Sequence, residues 1–331
     1  MKILITGGCG FIGTNLIDLL LRSGEHELVI LDNLSTGNIR YVLDVLKSNG
    51  WCRLSDLNFI KGDIRNSSTV KEACKGVNAV VHLAAHAGVT PSVEDPFFDA
   101  NVNVMGTLNL LNASRNVGVQ KFIFASSNAP LGNQSPPMNE SKAPGPLSPY
   151  GASKLSGEGY CSAFFGSYGL QTVVLRFSNA YGPLSLHKNS VVSKFIKDGL
   201  SLGRLTIYGD GTQTRDFIHA EDLARAITGI LGSDSDEIYG ETFHLGTGTE
   251  TKIIDLANIM RELLGNGVEI VFEPERAGEI KRNYSDITKA RRMLGFNPEV
   301  EIKEGTTRVF DWFMKQSREK VINAVAVSGS E

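Results

Sequence analysis

Cysteine is scarce in this chain: Cys9, Cys52, Cys74 and Cys161 are the only four among 331 residues. None falls in a CxxC pair and no histidine cluster accompanies them. That gives no basis for a metal site or a disulfide scaffold, and a reducing compartment, the cytoplasm, is expected. A surplus of one charge is missing too. With 33 basic and 36 acidic residues the net charge is −3, which points to neither a nucleic-acid nor a membrane partner. No apolar run approaches the roughly 18 residues of a membrane span. The first apolar stretch is too short and too glycine-rich for a signal peptide. What is present is an ordinary globular composition, 41% hydrophobic and 21% charged. The length suits one large α/β unit plus a smaller region.

Short β-branched runs alternate with helical patterns through the first 180 residues. The strand candidates are 2–6 (KILIT), 27–31, 57–61, 79–83 (AVVHL), 121–125 (KFIFA) and 171–176 (QTVVLR). Helical periodicity lies at 11–21, 68–74, 103–115 and 153–168. Buried strands alternating with helices predict an α/β fold: a Rossmann-type doubly wound parallel sheet, with a smaller C-terminal α/β substrate domain. Beyond about residue 180 the elements shorten. Helices are expected at 255–264 and 286–294, each opening on an Asp N-cap, and at about 303–315. The expected division is 1–178 for the dinucleotide-binding domain, with parts of 212–245 returning to it. Residues 179–315 would mainly bind substrate, and 316–331 would form a loose tail.

The run GGCGFIG joins the first strand to the first helix. Glycines at 7, 10 and 13 permit a tight turn, a close approach to a pyrophosphate, and close packing of helix on strand. The helix N-terminal amides then face the phosphates. A glycine triplet alone is a weak signal; its place between strand and helix strengthens it. Asp32 ends the second strand, nineteen residues after Gly13. A carboxylate there accepts hydrogen bonds from the adenosine ribose and repels a 2′-phosphate, so NAD is expected over NADP.

Tyr150 and Lys154 stand four apart at the start of a helical stretch, YGASK. That spacing puts both on one helix face. An ammonium beside a phenol lowers the tyrosine pKa from about 10, and the oxidised nicotinamide adds a second positive charge. Tyrosine then serves as a base near neutral pH. Ser127 ends the fifth strand, at the sheet edge where parallel α/β active sites open. A Tyr–Lys pair at this spacing is usually a surface pair; the glycine loop and the strand-end serine change that reading.

With these residues in place, the chain resembles the extended short-chain dehydrogenase/reductase family, in particular its nucleotide-sugar 4-epimerases and dehydratases. The resemblance runs from residue 1 to about 315. It rests on TGGCGFIG (6–13), DNLSTG (32–37), GDI (62–64), HLAA (82–85), NVMGT (103–107), the Ser pair 126–127 before Gly132, YGASK (150–154), RFSNAYGP (176–183), RDFIH (215–219) and PERAGE (274–279). The resemblance implies that Gly7, Gly10, Phe11, Ile12 and Gly13 hold the NAD pyrophosphate. Asp32, Asn33, Ser35, Thr36 and Gly37 would surround the adenosine ribose, and Asp63 and Ile64 would flank the adenine. Leu83, Ala84, Ala85 and Asn103 would line the middle of the cofactor. Tyr150 and Lys154 would meet the nicotinamide ribose, with Ser127, Tyr150 and Lys154 catalytic. On the substrate side, Asn128 and Asn179 would face the nucleotide sugar. Arg215 and Arg276 would clamp its diphosphate, since a forked donor suits phosphate oxygens. Glu279 would sit by the nucleotide ribose, and Asn283 would line the sugar pocket.

Departures from the family pattern narrow the chemistry. Related dehydratases carry Asp-Glu after the catalytic Thr, whereas here Ser127 is followed by Asn128 and Ala129. Expelling water needs an acid at the leaving hydroxyl, and this pair supplies none. The expectation is therefore a 4-epimerase that transiently oxidises C4 of a UDP-linked glucose, N-acetylglucosamine or glucuronate and returns the hydride to the opposite face. Dehydratase, decarboxylase and net oxidoreductase chemistry are the alternatives within the family; a non-catalytic NAD sensor is a remote one. Leu131 stands where the family usually has Tyr, with no role for the lost phenol evident. Helices at 103–115 and 153–168 suit the four-helix homodimer usual in the family.

Overall fold

The structure, a computed structural model, describes residues 1–50, 57–265, 267–275 and 280–328. Seven parallel strands form the central sheet, in the order β11-β6-β5-β4-β1-β2-β3. They are β1 (Lys2–Thr6), β2 (Glu27–Asp32), β3 (Asn58–Lys61), β4 (Ala79–His82), β5 (Lys121–Ser127), β6 (Gln171–Phe177) and β11 (Thr242–Leu245). The six strand candidates of the sequence all appear. β11 escaped notice because four residues, TFHL, carry little periodicity. It pairs along β6, from Thr242 opposite Val174 to Leu245 opposite Phe177.

The helices on this sheet are α1 (Phe11–Ser23), α2 (Ile39–Ser48), α3 (Ser67–Ala73), α4 (Val89–Glu94), α5 (Pro96–Ala100), α6 (Thr107–Val117) and α7 (Pro149–Tyr168). The strands supply alternate residues to two cores. Ile3, Ile5, Ile30, Val81 and Ile123 pack with Leu16, Ile17 and Leu20 of α1. Leu4, Val29, Leu31, Val80, Phe122 and Phe124 pack against α3, α6 and α7 through Val70, Leu110, Leu111 and Cys161. The period of two thus builds both layers of a doubly wound fold.

A third core belongs to the later part of the chain. The elements of that part are β7 (Asn179–Tyr181), α8 (Val191–Leu202), β8 (Arg204–Tyr208), β9 (Thr214–Arg215), β10 (Phe217–His219), α9 (Ala220–Gly232), β12 (Thr251–Lys252), α10 (Ile253–Leu264), β13 (Glu269–Glu273), α11 (Thr288–Leu294) and α12 (Ile302–Ser328). Phe195, Ile196, Leu205, Phe217, Leu256, Met260 and Phe313 are among its buried members. α9 and α11 do not join it; Leu223, Ile227 and Ala290 return to the core shared with α1.

Several boundaries differ from the sequence reading. α10 begins at Ile253 after Lys252, with no side-chain cap, and Asp255 lies in its first turn. α11 begins at Thr288, although Asp286 does accept the Thr288 amide through Oδ1 at 2.9 Å. The 103–115 stretch opens with a π-helical segment, Asn101–Gly106, before α6. α12 runs on to Ser328, well past residue 315. α7 starts early because Ser148 caps the Gly151 amide at 3.1 Å and Pro149 occupies its first turn. Cys9, Cys74 and Cys161 are buried and unbridged, while Cys52 lies outside the described residues. No described helix is long and apolar enough to cross a membrane.

One buried ion pair joins α7 to β6. Arg176 donates to Glu158 through Nε at 2.9 Å and through Nη2 at 2.7 Å, and Ser126 Oγ donates to the same carboxylate at 2.5 Å. Removing one partner strands the other charge. Arg176→Met is therefore expected to lose about 3–5 kcal/mol of stability at neutral pH. Urea denaturation measures this, and a loss under about 1 kcal/mol would show the pair to be dispensable.

Candidate active site

The loop after β1 is built for close approach. Gly7 has φ +70°, and a Cβ there would stand 2.7 Å from the Ala84 amide nitrogen. A Cβ on Gly13 would overlap the Gly7 carbonyl and the Gly8 backbone. Gly10 caps α1 without a side-chain hydrogen bond, and the first turn carries no acid. The helix end thus meets the loop with its amides and its positive dipole, which fits an anionic diphosphate. Phe11 and Ile12 form that first turn.

At the end of β2 the Asp32 carboxylate accepts the Cys9 amide at 2.9 Å and the Leu34 amide at 2.8 Å. Burial raises its pKa, against those two hydrogen bonds. A carboxylate has about four acceptor sites, so two remain for ribose hydroxyls. Asn33 Nδ2 donates to Asp63 at 2.9 Å, which brings the expected ribose and adenine segments together. Arg65 holds Asp63 well below the usual carboxylate range. Ser35 and Thr36 lie on the rim of this loop, and a Cβ on Gly37 would press on Cys9. Ile64 is buried beneath. The Gly7 contact places Leu83 and Ala84 along the same loop, and Ala85 follows them in the chain. These groups suit NAD.

Asn103, expected to line the cofactor, is held on several sides. Its buried amide exchanges two hydrogen bonds with the His86 backbone, at 2.8 and 3.0 Å, and donates to Asp99 at 2.8 Å and Ser153 at 3.2 Å. It fastens the loop after β4 to α7.

Ser127, Tyr150 and Lys154 converge at the carboxyl end of β5. α7 can lie close to the following loop because Gly151 has no side chain; a Cβ there would stand 2.7 Å from the Ala129 carbonyl. Ser127 stands by the Tyr150 phenol, whose pKa it lowers, and accepts the Ala129 amide at 3.2 Å. Lys154 is buried, its Nζ 2.9 Å from the Ala125 carbonyl and 5.9 Å from the Tyr150 ring centroid. In the protein alone, burial dominates the electrostatics of this pair. Burial pushes the Tyr150 phenol up to about 12, against the pull of Ser127 and with a push from Asp99. Burial brings the Lys154 ammonium down to about 8, against Asp99 and Glu158. Desolvation is the first cause of both shifts in the protein alone.

Beyond Ser127 the loop turns inward. Asn128 is buried, with Oδ1 2.9 Å from His244 Nδ1 and Nδ2 3.0 Å from Ser285 Oγ and 3.4 Å from Asn283 Oδ1. Asn128 and Asn283, far apart in sequence, therefore meet. Leu131 is wholly buried, so an aliphatic side chain fills the place of the missing phenol. Asn179 begins β7, and its amide donates to the Asp216 carbonyl at 2.9 Å. Arg215 donates to the carbonyls of Thr214 and Ile280 at 2.8 and 2.7 Å, which anchors the chain beside 276–279. Arg276 and Glu279 themselves lie outside the described residues. Sequence reading missed Asp99, Glu158 and His244. The first two carried a weak signal, being inward-facing acids on helices; His244 carried none. Among the described residues no acid-and-histidine cluster could hold a metal.

The comparisons agree with this geometry. The family model described as the NAD dependent epimerase/dehydratase family matches residues 3–246. This chain belongs to that family. A putative UDP-glucose 4-epimerase of Methanocaldococcus jannaschii is 36% identical over 321 residues, covering 96% of this chain and 99% of the relative. The crystal structure of a Thermotoga maritima UDP-glucose 4-epimerase with UDP-glucose superposes with a TM-score of 0.86 at 33% identity, covering 96% and 99% of the two chains. A Bacillus cereus UDP-glucuronic acid 4-epimerase, solved with UDP-glucuronic acid and NAD, gives 0.87 at 32% identity, covering 96% and 100%.

Two predictions follow from the site's packing and charge. Gly13→Ala should abolish NAD binding by calorimetry while circular dichroism stays native; tight binding would refute the cradle. Lys154→Met should stabilise the cofactor-free protein at neutral pH. The folded Lys154 pKa, about 8, lies below its ordinary value, so the cost of burying the charge is complete below pH 8. The unfolded chain binds the extra proton between about 8 and 10.4, so wild-type stability rises across that interval and the variant's advantage shrinks. An advantage independent of pH would contradict the assignment.

Proposed function

We propose that this protein is a nucleotide-sugar 4-epimerase acting on a UDP-linked hexose. The observation that carries the reading is Ser127, Tyr150 and Lys154 at one strand end, followed directly by Asn128 and Ala129, neither of them an acid. The Asn128 amide, committed to His244 and Ser285, has no proton to give a leaving hydroxyl. That argues for reversible oxidation over dehydration. UDP-glucose, UDP-N-acetylglucosamine and UDP-glucuronate are the candidate substrates.

NAD, when bound, supplies a hydride acceptor that is regenerated each cycle, and a positive charge beside the Tyr150 phenol. The protein's own groups place and move the proton. Ser127 holds the 4-oxygen of the sugar, and Tyr150 Oη takes its proton and later returns it. Lys154, fixed by the Ala125 carbonyl, keeps α7 and the ribose side in register. Arg215 and Arg276 clamp the diphosphate, Glu279 meets the nucleotide ribose, and Asn179 faces the diphosphate-linked sugar.

In this reading 1–178, together with α9 and β11, forms the cofactor domain, and most of 179–315 receives the substrate. The protein works in the cytoplasm as a homodimer. The exposed side chains of Phe97, Met105, Tyr160, Phe165 and Tyr168 on α5, the π-helical segment and α7 supply an apolar face for that pairing.

A panel of UDP-hexoses followed by NMR is expected to give the 4-epimer of at least one. A keto or unsaturated product, or released CO2, would overturn the epimerase reading. Tyr150→Phe should lower kcat by about 10²–10⁴ while the dissociation constant for UDP stays as in wild type; near-normal turnover would remove Tyr150 as the base. Arg215→Ala should raise KM, and an unchanged KM would dismiss the clamp.

A further inference from the structure

A line of buried polar groups runs from the catalytic helix to the far wall of the site. It starts at Glu158, four residues beyond Lys154 on α7, and passes through Arg176 on β6. Arg176 Nη1 lies 3.5 Å from His244 Nε2 on β11. Arginine can only donate, so Nε2 is the bare nitrogen and Nδ1 carries the hydrogen. That hydrogen points at Asn128 Oδ1, 2.9 Å away. The order fixes the Asn128 amide: its oxygen is taken by His244, so its Nδ2 faces Ser285 and Asn283. Ser285 Oγ is held in turn by Ser178 at 2.8 Å, and its amide by Asp216 at 3.2 Å. The backbone bridge between Met138 and Ser285 already ties the two segments. The side-chain line therefore does something other than hold the chain together: it sets which atom of Asn128 meets Asn283.

We infer that Asn128 is a positioning residue for sugar discrimination, orienting the Asn283 side chain through an amide whose direction His244 and Arg176 dictate. This rests on the reading of the site as a nucleotide-sugar pocket with Asn283 in its wall. Asn128 touches no reacting atom. It presents an N–H to Asn283 Oδ1, which leaves the Asn283 amide donors turned away from the loop. A sugar substituent at that wall then meets donors, and an analogue lacking an acceptor there leaves them unpaired.

The test is calorimetric titration of the NAD-loaded protein with UDP, UDP-glucose and UDP-N-acetylglucosamine. Asn128→Ala is expected to change the ratio of the two sugar dissociation constants about fivefold, the worth of one hydrogen bond, with UDP affinity unchanged. Ser285→Ala, a small change that removes the amide's other partner, should move the ratio in the same direction and serves if the first variant folds poorly. In an Asn283→Ala background, Asn128→Ala should add nothing further. An unchanged ratio, an equal loss for UDP and both sugars, or additive effects in the double variant would each overturn the proposal. Failure of the epimerase reading shows separately, as sugar binding without 4-epimer formation; absence of any nucleotide-sugar binding overturns both.

Discussion

A single contact fixes the chemistry of this site: the buried Lys154 ammonium donating to the Ala125 carbonyl. A cation in a sheet–helix interior needs a partner, and here the partner is backbone at the end of β5. That bond sets the height of α7 along the strand. Tyr150, one helical turn earlier, then falls level with Ser127, two residues beyond Ala125. Close approach follows from Gly151 against Ala129, and the π-helical turn at Asn103 pins the loop opposite. Each supporting residue serves the register between one helix and one strand end.

The burial that fixes the geometry opposes the chemistry. A phenol pushed to about 12 and an ammonium lowered to about 8 describe a site unready for proton abstraction. Both shifts come first from lost solvent, and an added positive charge acts on the phenol in the opposite direction. The unready state keeps the base protonated until the cofactor side is filled. A site that recycles its cofactor gains from this, because the phenolate is available only where the oxidant is present.

The fold was legible because its signals are local. Alternation in KILIT and KFIFA, glycine at three positions and Asp32 at a strand end each follow from backbone geometry. Tyr150 and Lys154 were legible because a helix converts a spacing of four into a shared face. What stayed hidden depends on distant contacts. β11 has four residues and declares itself only beside β6. His244 and Ser285 acquire meaning only when the fold lays them against Asn128. The phenol's shift could not be read from its neighbour in sequence, since solvent exclusion by the whole site decides its direction. Helix starts at Ile253 and Thr288 were misplaced because an Asp can serve the first turn without being the cap.

The central claim is that the site oxidises and restores one carbon without exchanging its hydrogen with solvent. The most direct measurement follows deuterium at C4 of the nucleotide sugar through complete conversion, with the product read by mass spectrometry and NMR. Full retention of the label at C4 of the epimer, without accumulation of reduced cofactor, is the predicted result. Loss of the label to water, or its transfer to another carbon, would contradict the account.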